Sequence, residues 1–297
     1  TRPSLQHPWG MVVAGVGGTG VITIGQLLGM AAHIEGKGIV TQDSAGLAQK
    51  GGATWSHVQI AQRAQDLHTT KVDTAKADLV IGCDSIVAAH RATLAVMHEG
   101  RTYVALNTHG TPTASFLKDP NWQFPDDSCE AALARAVGHS AIGLLDAEEV
   151  ATQLLGDSLY TNPLMLGYAW QKGRVPLSRQ ALLRAMELNG VQVDKNKAAF
   201  EWGRRCAHNL DEVRALYQAR QVIQVLRQPA KPYRKDSARD LYWQAVQAHN
   251  GKTVKELADS IAAAAPSQPK RGKLAGQTEP LSGWLAWFKA QGVLAIG

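Results

Sequence analysis

The chain has 297 residues, of which 45% are hydrophobic and 19% are charged, and its net charge at pH 7 is +6. This composition is that of a soluble globular protein with one large or two modest domains. No apolar run approaches the roughly 20 residues that cross a bilayer, which excludes a membrane-spanning protein. Three widely separated cysteines (Cys83, Cys129 and Cys206) indicate a reducing, cytoplasmic setting without a disulfide framework. Since the first residue is Thr1, we expect a removed leader or a piece of a longer chain.

The first 45 residues predict a strand, a glycine-rich turn, a helix and a second strand. The apolar run Met11 to Ala14 is typical of a short buried strand, and the helix is predicted from about Thr19 to Ile34. The turn between them carries four glycines, at positions Gly15, Gly17, Gly18 and Gly20. Their G-x-G-x-x-G spacing predicts an α/β fold with a Rossmann-like, doubly wound, mostly parallel sheet, to which a helical C-terminal extension is added.

Each glycine of the turn has an expected role. Gly15 permits the sharp turn, Gly17 lets the backbone approach a phosphate, and Gly20 lets the helix pack against the strand. The helix N-terminus then offers amide groups and a partial positive charge to an anion. Asp43, after the second strand, would hold a ribose hydroxyl of a dinucleotide, but it follows Gly15 by 28 residues rather than the usual 20 or so. The turn can also be purely structural.

Further strands and helices follow in alternation. Strands are predicted at 53–61, 76–82, 101–107 and 138–145, and helices at 85–97 with Ser85 as N-cap, 129–137, 147–155, 161–171, 178–188, 195–207 and 210–226. Ligands of open α/β sheets bind at the carboxyl ends of the strands. We therefore expect four polar strand ends to converge: the glycine turn, Asp43, Cys83-Asp84 and Asn107-Thr108-His109.

The C-terminal part is basic, with an excess of five positive charges between Lys231 and Lys273. After a linker at 228–232, helices are predicted at 237–249, 253–264 and 281–291. The basic run is either a solvated face, part of a helix-turn-helix reader of nucleic acid, or part of a docking arm. We favour a docking arm without nucleic-acid binding, in which one apolar stripe covers another subunit: Leu281, Trp284, Leu285 and Phe288.

Several motifs in the same order are shared with one family. They are GVGGTGVITIGQLLGMAAHIEGK, GLAQKGGA followed by WSHV, ADLVIGCD, NTH, NPLMLGYAWQ, ELNG and NKAAF. This arrangement closely resembles the gamma module of the 2-oxoacid:ferredoxin oxidoreductases, nearest to the indolepyruvate enzymes. The resemblance covers a gamma-type domain at 9–206. Local patterns predict the two remaining parts, an amphipathic helix and linker at 207–230 and a basic helical extension at 231–297, which we expect to dock a partner.

The resemblance implies CoA-dependent oxidative decarboxylation of a 2-oxoacid, with ferredoxin as electron acceptor. The difficult steps of that reaction belong to thiamine diphosphate and iron–sulfur clusters. The sequence has no C-x-x-C run and no G-D-G segment, so we expect both cofactors on partner subunits. This chain is then a component that is not catalytic alone, with no catalytic residue, no metal and no firmly bound cofactor, serving assembly and the admission of coenzyme A.

Coenzyme A carries phosphate groups that suit a glycine turn at a helix N-terminus. We expect Gly17, Gly18 and Thr19 to donate hydrogen bonds to phosphate, and Lys50, Gly51 and Gly52 to form a second loop. The candidate binding residues are Gly15, Gly17, Gly18, Thr19, Gly20, Asp43, Lys50, Gly51, Gly52, Asn107 and Thr108. The alternatives are a purely structural turn beside an interface hairpin, a free-standing NAD(P)-dependent dehydrogenase, and a ligand-free scaffold.

Histidines and cysteines give weaker signals. His57 and His109 are possible general bases, but a lone histidine near a strand is more often hydrogen-bonded scaffold. Cys83 and Cys206 are possible nucleophiles, but buried inert thiols are more common.

Overall fold

The computed structural model describes residues 2–46, 52–109, 126–218, 223–229, 232–233, 235, 238–264 and 281–296. The chain divides into two compact units, residues 1–210 and 211–297. The sequence places eighteen Lys and Arg against eighteen Asp and Glu in the first unit, and thirteen against seven in the second. The whole net charge of +6 therefore belongs to the second unit.

The first unit is built on a six-stranded mixed sheet with the order β2-β3-β1-β4-β5-β6. The strands are β1 (Trp9–Val16), β2 (Gly38–Ala45), β3 (Ala53–Ala61), β4 (Leu79–Gly82), β5 (Tyr103–Asn107) and β6 (Ile142–Leu145). β1, β4, β5 and β6 pair in parallel. β4 and β5 are buried along their whole length, as expected for parallel strands covered by helices on both faces. The predicted α/β, mostly parallel sheet is confirmed.

The third strand departs from the simple Rossmann arrangement. β3 pairs antiparallel with both β1 and β2, and so separates them. Thr54, Ser56, Val58 and Ile60 are buried, and the residues between them are half-buried; Ala61, the last residue of the strand, is buried as well. This period of two is the alternation predicted for that segment. Because β2 lies outside β3, residues at its end are kept one strand further from the glycine turn.

Eight helices are described between β1 and residue 208. They are α1 (Val21–Ile34), α2 (Ser85–Ala88), α3 (Arg91–Leu94), α4 (Asp126–Val137), α5 (Ala147–Leu155), α6 (Thr161–Gln171), α7 (Arg179–Asn189) and α8 (Val193–His208). The predicted helix 85–97 is therefore two short helices, and its N-cap is Asp84, whose Oδ1 accepts the amide of Val87 at 2.8 Å. The predicted cap Ser85 is wrong because the longer Asp84 side chain already satisfies that donor.

α6 and α8 cross at very short range. A Cβ on Gly203 would overlap the backbone carbonyl of Leu164, and one on Gly167 would overlap the carbonyl of Phe200. Only glycine allows the two backbones to approach this closely. This crossing fixes the start of α6, which borders the site described below.

The second unit has its own core. It contains α9 (Leu210–Gln218), β7 (Ile223–Val225), α10 (Ala238–Ala248), α11 (Val254–Ala264), α12 (Leu281–Ala290) and β8 (Leu294–Ile296), with β7 antiparallel to β8. Leu285 and Phe288 are buried in this core, with Leu281 and Trp284 packed against it. The predicted stripe of α12 thus covers its own unit, and its assignment to another subunit is wrong. The predicted helix 210–226 is confirmed at Leu210–Gln218 and wrong at Ile223–Val225, which pairs with β8; residues 219–222 lie outside the described residues.

No helix in the described part of the chain combines the length and apolarity needed to cross a membrane. Cys83, Cys129 and Cys206 are all buried, and none of the three forms a disulfide.

Candidate functional site

The glycine turn joins the end of β1 to the start of α1. Gly18 and Gly20 have φ angles of 87° and 93°, a left-handed conformation that glycine adopts without a Cβ penalty. Gly15 lies inside β1, where a Cβ would sit 2.7 Å from Val21 Cγ2. The predicted roles of Gly15 and Gly20 are therefore exchanged: Gly15 permits the close packing of the helix, and Gly20 permits the turn.

Some polar donors of the turn already have partners. The amide of Gly17 donates to the carbonyl of Gly52 at 2.8 Å, and the hydroxyl of Thr19 donates to the carbonyl of Val16 at 2.7 Å. By contrast, among the residues that the structure describes, no heavy atom lies within 4 Å of the position where Gly18 would carry a Cβ. With respect to those residues, the space over Gly18 is open to a ligand.

The N-terminus of α1 faces this region without a neutralising side chain. Its N-cap is Gly20, no side chain caps the helix, and the first turn holds no acidic residue. The first amides of a helix have no intrahelical partner, and the helix dipole places a partial positive charge there. This end of α1 therefore favours a negatively charged group.

A cavity of about 140 Å³ opens beside the turn, at the carboxyl ends of β1, β4 and β5. The ends of these strands with the segments that follow them, the start of α5 and the chain around the start of α6 contribute its polar lining: Gly18, Thr19, Asp84, Asn107, His109, Glu148, Ser158, Thr161 and Asn162. The cavity lies where open α/β sheets bind ligands.

Two buried amides hold the walls of this cavity in place. Asn107 donates from Nδ2 to the carbonyl of Cys83 at 3.0 Å, and its Oδ1 accepts the amide of Ala147 at 3.0 Å. Asn162 donates from Nδ2 to the carbonyl of Thr19 at 2.7 Å. The first amide joins β5, β4 and α5, and the second joins α6 to the glycine turn. The geometry of the cavity therefore depends on both side chains.

His109 is the histidine of this cavity and lies between two carboxylates. Its Nδ1 is 3.6 Å from Asp146 Oδ1, and its Nε2 is 3.5 Å from Glu148 Oε1. The hydrogen bond with Asp146 and the negative charges nearby raise the pKa of His109 above its usual value. The two carboxylates therefore favour the protonated form of His109 over the neutral form that a general base requires.

The remaining histidine and thiol candidates are structural. His57 Nδ1 accepts the amide of Val72 at 3.3 Å, and burial followed by the charge of Lys71 lowers its pKa. Burial, with a smaller effect of Asp84, raises the pKa of Cys83 to about 12, so its thiol is not a nucleophile at neutral pH. Within the described residues, no group of three or more His, Cys, Asp or Glu side chains could hold a metal ion.

A comparison with known protein families shows which family this chain is related to. Residues 10–206 match the family described as pyruvate ferredoxin/flavodoxin oxidoreductase. The chain belongs to this family. The match spans the sheet, the glycine turn and the cavity, and it stops close to the boundary between the two units.

Curated relatives in the family extend over almost the same residues. The chain is 29% identical over 197 residues to the indolepyruvate oxidoreductase subunit IorB of Methanothermobacter thermautotrophicus, covering 66% of this chain and 95% of that one. It is 24% identical to the IorB subunit of Thermococcus kodakarensis, covering 68% and 97%. These proteins are subunits, and this chain is likewise a subunit-type member of multi-subunit oxidoreductases.

A solved structure shares the fold. It is the 2-oxoglutarate:ferredoxin oxidoreductase from Magnetococcus marinus, with 2-oxoglutarate, coenzyme A and succinyl-CoA bound. The TM-score is 0.51 at 14% identity, and the likeness covers 68% of this chain and 31% of that one. At this identity the likeness shows the fold alone.

The structure brings only part of the predicted site together. Gly18, Thr19 and Asn107 line the cavity, and Gly15, Gly17, Gly20 and Gly52 shape or contact the turn. Thr108 donates its amide to the carbonyl of Leu145 and does not line the cavity. Lys50 and Gly51 lie outside the described residues.

The expected convergence of Asp43 with the other strand ends is wrong. Asp43 lies on β2, where it pairs with Ser56 of β3, and its side chain is exposed. Since β3 lies between β2 and β1, Asp43 is displaced from the cavity by a strand. The position from which an acidic residue holds a ribose in dinucleotide-binding folds is therefore not available to it.

Sequence reasoning missed four polar residues of the site. Glu148, Ser158, Thr161 and Asn162 line the cavity, but they belong to helical segments to which the sequence gave no role in the site. The Asn162-Pro163 pair in the first turn of α6 was a usable signal, because an asparagine side chain near a helix start commonly bonds to backbone groups.

Proposed function

We propose that this chain is the gamma-type subunit of a cytoplasmic 2-oxoacid:ferredoxin oxidoreductase that acts on an aryl-pyruvate such as indolepyruvate. The IorB relatives support this assignment, since their alignments cover nearly their whole length. The observation that carries the ligand-binding part of the proposal is the open space over Gly18, beside the uncapped start of α1.

The complete enzyme would convert the 2-oxoacid and coenzyme A to an acyl-CoA and carbon dioxide, and pass two electrons to ferredoxin. Thiamine diphosphate would supply the carbanion chemistry, and iron–sulfur clusters would carry the electrons. The chain lacks C-x-x-C and G-D-G segments in its full sequence. We therefore assign both cofactors to partner subunits, and assembly and coenzyme A admission to this chain.

We infer one orientation for coenzyme A beside the cavity. Asp84 and Glu148 line its interior, and these carboxylates disfavour a phosphate but accept hydrogen bonds from neutral groups. The pantetheine arm of coenzyme A supplies such groups, two amides and a hydroxyl. We therefore place the phosphates over Gly18 and the start of α1, outside the interior, and the arm toward the carboxylates.

Coenzyme A titration of the assembled complex tests this placement. Gly18→Asp adds a carboxylate where we place phosphate, and we expect its affinity for coenzyme A to fall at least about tenfold. Gly36→Asp is the matched control, because Gly36 also has a positive φ (65°) and open space around it. Unchanged affinity in Gly18→Asp would remove the phosphate role.

A free-standing NAD(P)-dependent dehydrogenase is less well supported. The strand order separates Asp43 from the glycine turn, so the usual ribose contact lacks its acidic residue. A titration of the isolated chain with NADH and NADPH distinguishes the two: tight nicotinamide binding would favour the dehydrogenase. If the assembled complex binds no coenzyme A, a ligand-free scaffold is the better description.

A further inference from the structure

A second cavity of about 330 Å³ lies at the opposite edge of the sheet, near the amino ends of β5 and β6. Its lining includes Arg101, Thr102, Tyr103, Ser140 and Arg174, with Glu99 at one side. Neither the candidate coenzyme A site nor the proposed reaction uses this cavity. Its volume is within the range of small-molecule sites.

Arg174 differs from the other cations of the first unit. Five of the described Lys and Arg residues there are partly withdrawn from solvent: Lys37, Arg101, Arg174, Lys197 and Arg204. Four of them contact a carboxylate. Within the described residues, no carboxylate oxygen lies within 4.0 Å of Arg174. Withdrawing a charge from water is unfavourable unless a counter-charge compensates, so Arg174 lacks the compensation that the others have.

The guanidinium of Arg174 is held in a fixed position. It stacks over the ring of Tyr103, with Cζ 4.6 Å from the ring centroid. The backbone carbonyl of Arg174 accepts the indole N–H of Trp9 at 3.1 Å, and its amide donates to Ala169. A stacked guanidinium keeps its N–H groups in a rigid fork that matches a carboxylate. Less freedom is therefore lost when such a group binds.

The neighbouring arginine is already neutralised. Arg101 donates from Nε and Nη2 to the two oxygens of Asp78, at 2.9 and 3.1 Å, and Asp78 also accepts the amide of Gly10 at 2.8 Å. One uncompensated fork therefore faces this cavity. A guanidinium fork can bind either a carboxylate or a phosphate through two hydrogen bonds. Glu99 in the cavity lining disfavours the more highly charged phosphate.

We propose that the cavity at the amino edge of the sheet binds a carboxylate through Arg174. The carboxylate belongs either to a free small carboxylic acid or to an acidic side chain of a partner subunit. Both sources share the same contact with Arg174, and the cavity volume leaves room for the body of a small acid.

The first experiment tests binding of a free acid and uses the full-length chain labelled with ¹⁵N. The Nε–Hε signal of Arg174, assigned by its loss in Arg174→Gln, is followed while acetate, benzoate or succinate is added, with phosphate and chloride as anion controls. A free ligand predicts saturable shifts of this signal with a carboxylate. The backbone amide signals of Thr102 and Ser140, which also line the cavity and remain in every variant, should report at least tenfold weaker binding in Arg174→Gln and no change in Arg135→Gln, whose arginine is exposed and outside the cavity lining. Equal effects of chloride or phosphate would overturn a carboxylate site.

The second experiment tests for a partner carboxylate and compares the free chain with the assembled complex. Phenylglyoxal modification of Arg174, read by mass spectrometry, should fall at least fivefold on assembly if a partner carboxylate occupies the cavity, and Arg174→Gln should weaken assembly. The melting temperature of free Arg174→Gln should equal or exceed that of the wild type, which separates ligand loss from misfolding. If no acid binds and assembly does not protect Arg174, the proposal is wrong.

Discussion

The side-chain amide of Asn162 donates a hydrogen bond to the backbone carbonyl of Thr19 at 2.7 Å, across 143 residues of sequence. Asn162 is almost fully buried, with 4% of its surface exposed. This bond fastens the start of α6 to the glycine turn. The position of the turn relative to the cavity is therefore set by a residue far from it in the chain.

Asn162→Ala should lower the free energy of unfolding by about 1–2 kcal/mol, because a buried hydrogen bond is lost and the carbonyl of Thr19 loses its partner. Asn196→Ala is the control, since Asn196 also donates to a carbonyl, that of Val191, but at an exposed site. Urea unfolding of both variants measures the difference. Equal, small effects would mean that the bond to Thr19 does not hold the turn.

Gly203→Ala should be among the most damaging single-methyl changes in the first unit. The added Cβ would overlap the carbonyl of Leu164 in α6, and forcing two packed elements apart costs typically about 1–3 kcal/mol. Gly29→Ala in α1 is the control: its Cβ would meet Thr41 Cγ2 at 3.6 Å, an ordinary contact. That substitution should be neutral or stabilising by up to about 1 kcal/mol. Thermal unfolding of both variants gives the comparison, and a tolerated Gly203→Ala would contradict the close helix crossing.

Arg101→Met should destabilise the first unit by about 2–4 kcal/mol, since it leaves the buried carboxylate of Asp78 without its cation. The double variant Arg101→Met with Asp78→Asn should recover part of that loss, because the uncompensated charge is removed as well. Denaturant unfolding of the wild type, both single variants and the double variant completes the cycle. Additive losses would show that the two residues are not coupled.

The contribution of His109 to stability should depend on pH with a definite sign. Its pKa is raised in the folded chain, first by the hydrogen bond with Asp146. Its contribution is therefore fully present below the unfolded value of about 6.5, and it is lost as pH rises through the higher folded value. The excess stability of the wild type over His109→Gln should fall as pH rises above about 6.5.

The contribution of His57 to stability should depend on pH with the opposite sign. Burial lowers its pKa in the folded chain, so its unfavourable contribution appears as pH falls, and the stability of the wild type relative to His57→Gln should fall in acid. Urea unfolding between pH 5 and 8 separates the two histidines. If the stability difference from the wild type changed with pH in the same direction for both variants, the pairing of His109 with Asp146 and Glu148 would be contradicted.

Local sequence patterns predicted much of the first unit. The period of two in 53–61, the apolar run at 11–14 and the segment predicted at 76–82 marked strands that the structure contains, the last of them only at Leu79–Gly82. The partners of those strands were not predictable, because pairing is decided by distant residues. β3 inserts between β1 and β2, and this one pairing removes Asp43 from the site.

Other errors have the same physical cause. The helical pattern of 210–226 continues locally to Ile223, but pairing with residues 294–296 makes 223–225 a strand. His109 was recognised, yet its partners Asp146 and Glu148 were not, since they lie 37 and 39 residues further along the chain. The sequence predicted a site at the carboxyl edge of the sheet, but the charged side chains that line the cavity could be identified only from the structure.

Reconstitution tests the proposed function most directly. The chain is combined with the thiamine- and cluster-bearing subunits that co-purify with it, and ferredoxin reduction is followed with indolepyruvate and coenzyme A. The account predicts that the complex is active, that omitting this chain abolishes coenzyme A-dependent turnover, and that the chain alone is inactive. Full turnover by the partners without it, or oxidation of a reduced nicotinamide by the isolated chain, would contradict the account.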